Sequence, residues 1–427
     1  MNYTIFETFV GAGGSHIGFK KQGFISKYVN DFSHEAMETL LINNPEIRHT
    51  AVIDESSILD TNPIEILKKT NMKVGDLDVL FGGIVCKGFS LAGERSPNDE
   101  RNYFYHKQLE LVDIIRPKVS IIENVPGIKT AKVLSLSTPK DIKHKVNDLW
   151  KKIENYKGEK SILRKTNRIT EEFELKGKNL RIEKEKMLKT LKSRNYLKSV
   201  YQDIIDLYTN LGYRVYAQFL NSACYGAATK RERLIIVAVR EDINIEYMFP
   251  EATHGNEIMK KKYPYLYKDD KKYNPIKTVN DALSEINYLR EDKDNIPMNH
   301  NEKTIERFKY IPEGENIAKH MDKVPANLQI SRFYSRGNTM RLNSNDASPT
   351  LVPGHSNFPI HPKEHRSITV REAATITGFP VDYVFVGSHT KRCESVGNAV
   401  PPALSEAIAR SVRTLLDAYK NDLDGRF

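Results

Sequence analysis

Four side chains in this 427-residue chain have the types and placement to do covalent chemistry: Cys86, Glu123, Arg231 and Arg233. Cys86 lies in the run Asp78-Val79-Leu80-Phe81-Gly82-Gly83-Ile84-Val85-Cys86-Lys87-Gly88-Phe89-Ser90. An apolar, strand-like stretch opens onto glycines and then delivers a lone thiol. In an open α/β sheet, ligands bind just beyond the carboxyl ends of the strands. A thiolate there is placed to attack a group held in the cleft. The alternative is a buried cysteine that only packs as a small hydrophobe. The rest of the set favours the nucleophile. Glu123, in Glu123-Asn124-Val125, closes another apolar run, Val119 to Ile122. Arg231 and Arg233 stand at the start of a third, Leu234 to Val239, and a spacing of two puts both on one face once the strand has begun. A carboxyl and two guanidiniums beside a thiol would stabilise charge that develops as the sulfur adds to an electron-poor centre, and a nearby cation favours the thiolate. A structural ion pair between Glu123 and Arg233 is the bland alternative.

The elements that must position these groups alternate. Thr4 to Val10 is strand-like and ends at Gly11-Ala12-Gly13-Gly14, after which Ser15 is placed to cap a helix carrying Ile17 and Phe19. Lys27 to Asn30 is a second strand, ending at Asp31-Phe32, with helix-like sequence through Met37, Leu40 and Leu41. Asp78 to Phe81, Val119 to Ile122, Tyr213 to Leu220 and Leu234 to Val239 continue the pattern. Strands alternating with helices predict βαβ units and a mainly parallel sheet. Glycines at the first strand–helix turn let backbone approach a ligand closely. The loop is not the GxGxxG dinucleotide pattern, which argues against NAD. Asp31, an acid at the end of the second strand, is placed to hold ribose hydroxyls.

Two stretches depart from this rhythm. Residues 129–197 are dominated by Lys and Glu with Ile and Leu at helical spacing, and read as a charged helical insertion, a helical hairpin in its simplest form. Such a segment is ordinarily a solvated decoration. The sharper alternative is a basic arm along nucleic acid. From about 241 to 365 periodicity fades into short Pro-, Asn-, Tyr- and Lys-containing pieces, as in an irregular second domain. Regular order returns at Ser367, and a last helix after Pro401-Pro402 carries Ala407, Ile408, Val412, Leu415 and Leu416 as an apolar stripe.

Lys and Arg number 65 against 55 Asp and Glu, a formal +10, which suits a polyanionic partner. Three scattered cysteines exclude a disulfide framework or a cysteine zinc site, and suit a reducing, cytoplasmic compartment. The first residues lack a signal-peptide pattern, and no apolar run approaches the roughly 20 residues of a membrane span.

Taken in order, the motifs resemble those of the cytosine-C5 DNA methyltransferases. Phe6-Glu7-Thr8-Phe9-Val10-Gly11-Ala12-Gly13-Gly14 resembles the cofactor loop, Cys86 with Gly88-Phe89-Ser90 the nucleophile loop, and Glu123-Asn124-Val125 the acidic motif. Tyr225-Gly226 with Lys230-Arg231-Glu232-Arg233 resembles the arginine motif. Arg366, Thr369 and Arg371-Glu372-Ala373-Ala374, with Gly378-Phe379-Pro380, resemble the strut beside the recognition domain. Gly397-Asn398-Ala399-Val400-Pro401-Pro402 resembles the final motif. The resemblance implies a Rossmann-like S-adenosylmethionine-dependent sheet with a smaller, irregular target-recognition domain. It places the catalytic domain at 1–240, with the insertion at 129–197, the recognition domain at 241–365, and a return segment and helix at 366–427.

It also implies roles. S-adenosylmethionine would lie over Gly11, Gly13 and Gly14, with Asp31 on its ribose, Phe9 and Phe32 about its adenine, and Asn398 beside it. Plain core packing is the alternative for Phe9. Cytosine is too weakly nucleophilic at C5 to take a methyl group directly. Adding the Cys86 thiolate to C6 makes C5 enamine-like. Glu123 would hydrogen-bond N3 and the exocyclic amine, burial raising its pKa toward that role. Arg233 would reach the base oxygen, with Arg231 supporting the site. The base must leave the duplex to be attacked. Lys87, Ser90 and Arg101, beside the nucleophile, would face DNA, although a local turn hydrogen bond serves equally for Ser90. The partner is double-stranded DNA, the protein a monomer without a metal, and any cognate restriction endonuclease would act separately. Val85-Cys86-Lys87 replaces the usual Pro-Cys-Gln and is similar to a variant among methyltransferases for GGNCC- or GGWCC-type sites. Thr229 stands where glutamine is usual. Asn398 is alternatively a helix N-terminal turn residue without a ligand.

Overall fold

The computed structural model describes residues 2–84, 96–98, 104–135, 137–166, 168–269, 271–330, 337–352 and 358–424. Seven strands form one sheet: β1 (Tyr3–Thr8), β2 (Phe24–Asn30), β3 (Val52–Asp54), β4 (Val79–Gly82), β5 (Val119–Asn124), β8 (Tyr213–Asn221) and β9 (Glu232–Arg240). Their order is β3-β2-β1-β4-β5-β9-β8, and a separate two-stranded sheet pairs β6 (Lys132–Leu134) with β7 (Leu197–Ser199). The β1–β2, β1–β4, β2–β3 and β4–β5 pairs are all parallel, with Ile5 opposite Val79 and Val79 opposite Val119. Parallel strands are covered on both faces, so their sequences read as unbroken apolar runs. β4 and β5 are buried along their whole length.

The chain forms two compact units. The first comprises Met1–Gly83, Leu111–Glu123 and Tyr216–Phe427. Its core holds Ile5, Phe19, Phe81, Ile121, Ile235 and Val237, together with Leu404, Ile408, Val412 and Leu416 of the last helix, Pro402–Asp424. Residues 241–299 also contribute: Ile243, Tyr247, Met259 and Tyr263 belong to this core. A smaller cluster of Phe308, Ile311, Ile317, Met321, Val324, Leu328 and Ile360 stands by itself.

The second unit comprises Ile84–Glu110 and Asn124–Val215. It carries the expected hairpin, helices Lys140–Lys165 and Glu171–Ser193. Val146, Leu149, Trp150, Ile153 and Leu191 are buried between them with Leu134 of β6, and Tyr156 stacks on Phe173 at 4.6 Å. The β6–β7 pair, Lys132 opposite Ser199, closes the root. No helix among the described residues is long and apolar enough to cross a membrane.

The predicted elements are present with shifted ends. β2 begins three residues before Lys27. β1 stops at Thr8 because Phe9 adopts a left-handed φ of 53°. The first helix, Gly14–Lys21, is entered through a left-handed Gly13, with no side-chain cap. Ser15 is therefore not its cap. It lies inside the helix, and its hydroxyl faces Glu7 at 3.5 Å.

Candidate active site

The glycine loop is built by what surrounds it. Phe9 turns the chain off β1, and the Val10 amide donates to the Asn30 carbonyl at 3.1 Å. A non-glycine residue in the left-handed region costs on the order of 1–3 kcal/mol, so the bend is held by its surroundings. The Gly11 amide donates to Asp31 Oδ2 and the Ser33 amide to Asp31 Oδ1, both at 2.9 Å. Burial raises the pKa of the Asp31 carboxyl, and these two donors oppose the rise.

The three glycines differ in what constrains them. A Cβ on Gly13 would lie 2.6 Å from Leu40 Cδ1 and 2.8 Å from the Tyr383 hydroxyl, and one on Gly14 would lie 2.2 Å from the Val400 carbonyl oxygen. Gly13 and Gly14 thus admit close packing against distant parts of the chain. Gly11, at φ 56°, has nothing within 4 Å of that position. It is the one of the three that borders open space among the described residues. Phe32 is 70% exposed, so core packing does not account for it, and Phe9 is half-buried. An open loop, a carboxylate tied to it and an exposed aromatic ring fit a nucleoside ligand.

Four positioning contacts carried no sequence signal. The Tyr383 hydroxyl donates to the Ala12 carbonyl at 2.7 Å, and Ser405 Oγ donates to the Gly14 carbonyl at 2.9 Å. Beneath the loop, fully buried Glu7 accepts from Ser26 Oγ at 2.7 Å and meets His16 Nδ1 at 2.9 Å.

On the other side of the sheet's switch point, β5 and β9 are neighbours. Glu123 on β5 and Arg233 on β9 meet with Nε 2.7 Å from Oε1, side chains 10% and 8% exposed. Arg233 also donates from Nη1 to the Glu232 carbonyl at 2.7 Å. Arg231 lies one residue before β9 and takes a different path. Its Nη1 donates to the Gly397 carbonyl at 2.9 Å and its Nη2 to the Asn398 carbonyl at 3.2 Å. Burial and then the adjacent Arg233 guanidinium lower its pKa, while Glu123 opposes them. Asn398 is the last residue of helix His389–Asn398, not an N-terminal turn residue, and its side chain is exposed.

Cys86, Lys87, Ser90 and Arg101 lie outside the described residues. β4, which pairs with β5, runs to Gly82 on the way to Cys86. The other two cysteines are shielded. Burial pushes the Cys224 thiol up to about 11 and the Cys393 thiol up to about 12. Neither forms a thiolate readily near neutral pH.

A mainly parallel α/β sheet with a glycine loop after its first strand, an acid after its second and a buried carboxylate–guanidinium pair on adjacent strands defines a Rossmann-like architecture. The sequence model of the C-5 cytosine-specific DNA methylase family matches residues 3–164 and 165–414, and the chain belongs to that family. It is a DNA cytosine-C5 methyltransferase. The chain is 28% identical to the Type II methyltransferase M.NgoFVII of Neisseria gonorrhoeae, over 96% of this chain and 86% of that one. It is 27% identical to the Type II methyltransferase M.Eco47II of Escherichia coli, over 97% and 80%. Among solved structures, a prophage-encoded E. coli protein described as a DNA modification methyltransferase superposes with TM-score 0.61 at 20% identity, covering 97% of this chain and 99% of that one. The Dnmt2 methyltransferase of S. pombe shares the fold at TM-score 0.53 and 11% identity, covering 98% and 99%.

Proposed function

We propose that this enzyme methylates C5 of cytosine in a specific duplex DNA sequence, with S-adenosylmethionine as donor and a covalent Cys86–C6 adduct on a flipped-out base. The observation that carries the proposal is the buried Glu123–Arg233 pair on strands β5 and β9. A charged pair this far from water, one strand over from the strand that leads to the thiol, is the partner set such an addition needs.

Cys86 adds its sulfur to C6 of the extruded cytosine. Glu123 shares a proton with N3 of the ring and accepts from the exocyclic amine, and Arg233 holds both Glu123 and the base oxygen, so that charge developing on the ring meets that proton and a fixed guanidinium donor. Arg231 acts at one remove, by fixing the backbone of Gly397 and Asn398. When bound, S-adenosylmethionine supplies the methyl group. Asp31 orients the ribose, Phe9 and Phe32 flank the adenine, Gly11 admits the donor, and the Asn398 segment closes beside it. C5 then loses its proton to water, the Sγ–C6 bond breaks, and the thiolate is restored. Lys87, Ser90 and Arg101 face the DNA, and residues 241–365 read the sequence while the catalytic domain, 1–240 with 366–427, performs the chemistry. The Val85-Cys86-Lys87 variant supports a GGNCC- or GGWCC-type target. The relatives named Type II methyltransferases support a role in restriction-modification; we read the enzyme as a cytoplasmic monomer, with any cognate nuclease acting separately.

Duplexes containing 5-fluorocytosine test the adduct, because fluorine at C5 cannot leave after methyl transfer. Wild-type protein with S-adenosylmethionine should form a complex stable to denaturation, and Cys86→Ser should not. Turnover on normal DNA with no trapped complex on any fluorinated duplex would defeat the mechanism.

A further inference from the structure

The hairpin concentrates almost all of the protein's charge surplus. Residues 140–193 hold 17 Lys and Arg against 9 Asp and Glu, whereas the remaining 373 residues hold 48 against 46. The hairpin's own fold does not need this surplus. Its helices are joined by an apolar core, by the Tyr156–Phe173 stack, and by cross-helix pairs Lys160–Glu174 at 2.7 Å and Lys176–Glu159 at 3.1 Å.

Several lysines are left over, and they are not scattered. Lys178, Arg181, Lys189 and Lys192 are exposed and spaced by three, eight and three residues. That spacing keeps them within about a quarter turn of one another along about 21 Å of helix. Glu185 pairs with Arg181 at 3.6 Å. Lys178, Lys189 and Lys192 make no ion pair among the described residues. Lys192 complements the C-terminal end of the helix dipole. Lys178 sits mid-helix without that reason, and Lys189 and Lys192 repel each other at i,i+3. A row of four cations of which only Arg181 has an acidic partner costs some stability and contributes nothing to the hairpin's apolar core. It matches a linear array of negative charge about six base-pair steps long.

The hairpin is also tied to the chain that follows the nucleophile. Asn98 Nδ2 donates to Asn147 Oδ1 in the first hairpin helix at 3.0 Å, and the Leu134 amide donates to the Pro97 carbonyl at 3.0 Å. We propose that the hairpin is an arm that grips the phosphate backbone of duplex DNA outside the target site, through the stripe Lys178, Arg181, Lys189 and Lys192. The proposal rests on the reading of duplex DNA as substrate.

The test compares full-length wild type with the triple variant Lys178→Gln, Lys189→Gln, Lys192→Gln, and with a control that removes equal charge elsewhere, Lys68→Gln, Lys69→Gln, Lys73→Gln. Each is assayed on a short duplex ending close to the target and on a long duplex with extended flanks, from 50 to 200 mM salt. Wild type and control should bind the long duplex more tightly. The stripe variant, with unchanged helicity by circular dichroism, should lose about tenfold of that advantage. Its log Kd against log salt slope should fall by about 0.9 for each phosphate that it no longer neutralises. Its methylation of the short duplex at saturating DNA should match wild type, and that readout separates failure of the arm from failure of the methyltransferase reading. Equal length dependence and equal slopes in wild type and stripe variant would overturn the proposal. So would a structured RNA that competes for the stripe at lower concentration than duplex DNA does.

Discussion

At the scale of the residue, two arginines two positions apart have separate tasks. Arg233 is paired to a carboxylate on the neighbouring strand, and Arg231 is spent on two backbone carbonyls of the returning chain. Their spacing suggests twins, but Arg231 precedes β9 and so escapes its alternation. Substitutions that keep volume separate the roles. Glu123→Gln preserves the shape of the pair and removes its charge. It should lower kcat by about 100-fold or more while S-adenosylhomocysteine binds as in wild type. Arg231→Lys keeps the cation but loses the planar fork that reaches both carbonyls. It should cost about 1.5–3 kcal/mol of stability and weaken cofactor binding, because the Gly397–Asn398 backbone leads directly into the segment packed on Gly14. At saturating cofactor its kcat should stay within about threefold of wild type. Calorimetric titration with single-turnover kinetics checks both, and loss of cofactor affinity in Glu123→Gln would show that the two sides of the site are not independent.

At the scale of the element, the loop between β1 and the first helix is shaped from outside. Gly14→Ala would drive a methyl group to 2.2 Å from the Val400 carbonyl oxygen, a backbone atom that cannot swing away. Overpacking of this kind costs about 1–3 kcal/mol, more where the neighbour is fixed, so Gly14→Ala should melt well below wild type. Gly11→Ala meets only the left-handed penalty of about 1–2 kcal/mol and open space. It should stay folded while losing cofactor affinity. Thermal melts beside cofactor titrations check the pair, and a Gly14→Ala protein that melts with wild type would place the return segment elsewhere. This contrast also marks what the chain announces by its residues alone. Runs such as Val79 to Phe81 and Leu234 to Val239 announce buried parallel strands, and strand ends place Asp31 and Glu123. The hairpin follows from its Lys-, Glu- and Leu-rich periodicity. The reason for Gly13 and Gly14 could not be read, because Leu40, Tyr383 and Val400 approach them from far along the chain and leave no local pattern. Ser15 reads as a cap until Gly13 turns the chain first. The packing of 243–263 into the main core is carried by Tyr247, Met259 and Tyr263, spaced too irregularly to register as strand or helix.

At the scale of the whole molecule, the first unit is assembled from three separate stretches of chain and completed by its last helix. Leu404, Ile408, Val412, Leu415 and Leu416 of Pro402–Asp424 are all buried. At about 1.5–3 kcal/mol for each large apolar side chain, that helix contributes on the order of the 5–15 kcal/mol by which a whole domain is stable. It also closes the ligand loop, since Ser405 bonds to Gly14 and a Cβ on Gly18 would lie 2.2 Å from the Glu406 amide nitrogen. The helix that completes the core of this unit therefore also holds the loop that is proposed to take the cofactor. In the full chain, S-adenosylhomocysteine at 100 times its Kd should stabilise the unit that carries the loop by about 2.7 kcal/mol, seen as a raised melting temperature. A chain ending at Pro401 should show neither a cooperative melt of that unit nor any shift with ligand. The hairpin's core is drawn from residues 134–191, so ligand should leave the melting of its helices unmoved in the full chain. A truncated chain that still binds the ligand within about threefold of the full chain's Kd, a difference under 1 kcal/mol, would mean that the last helix covers the sheet without building the site.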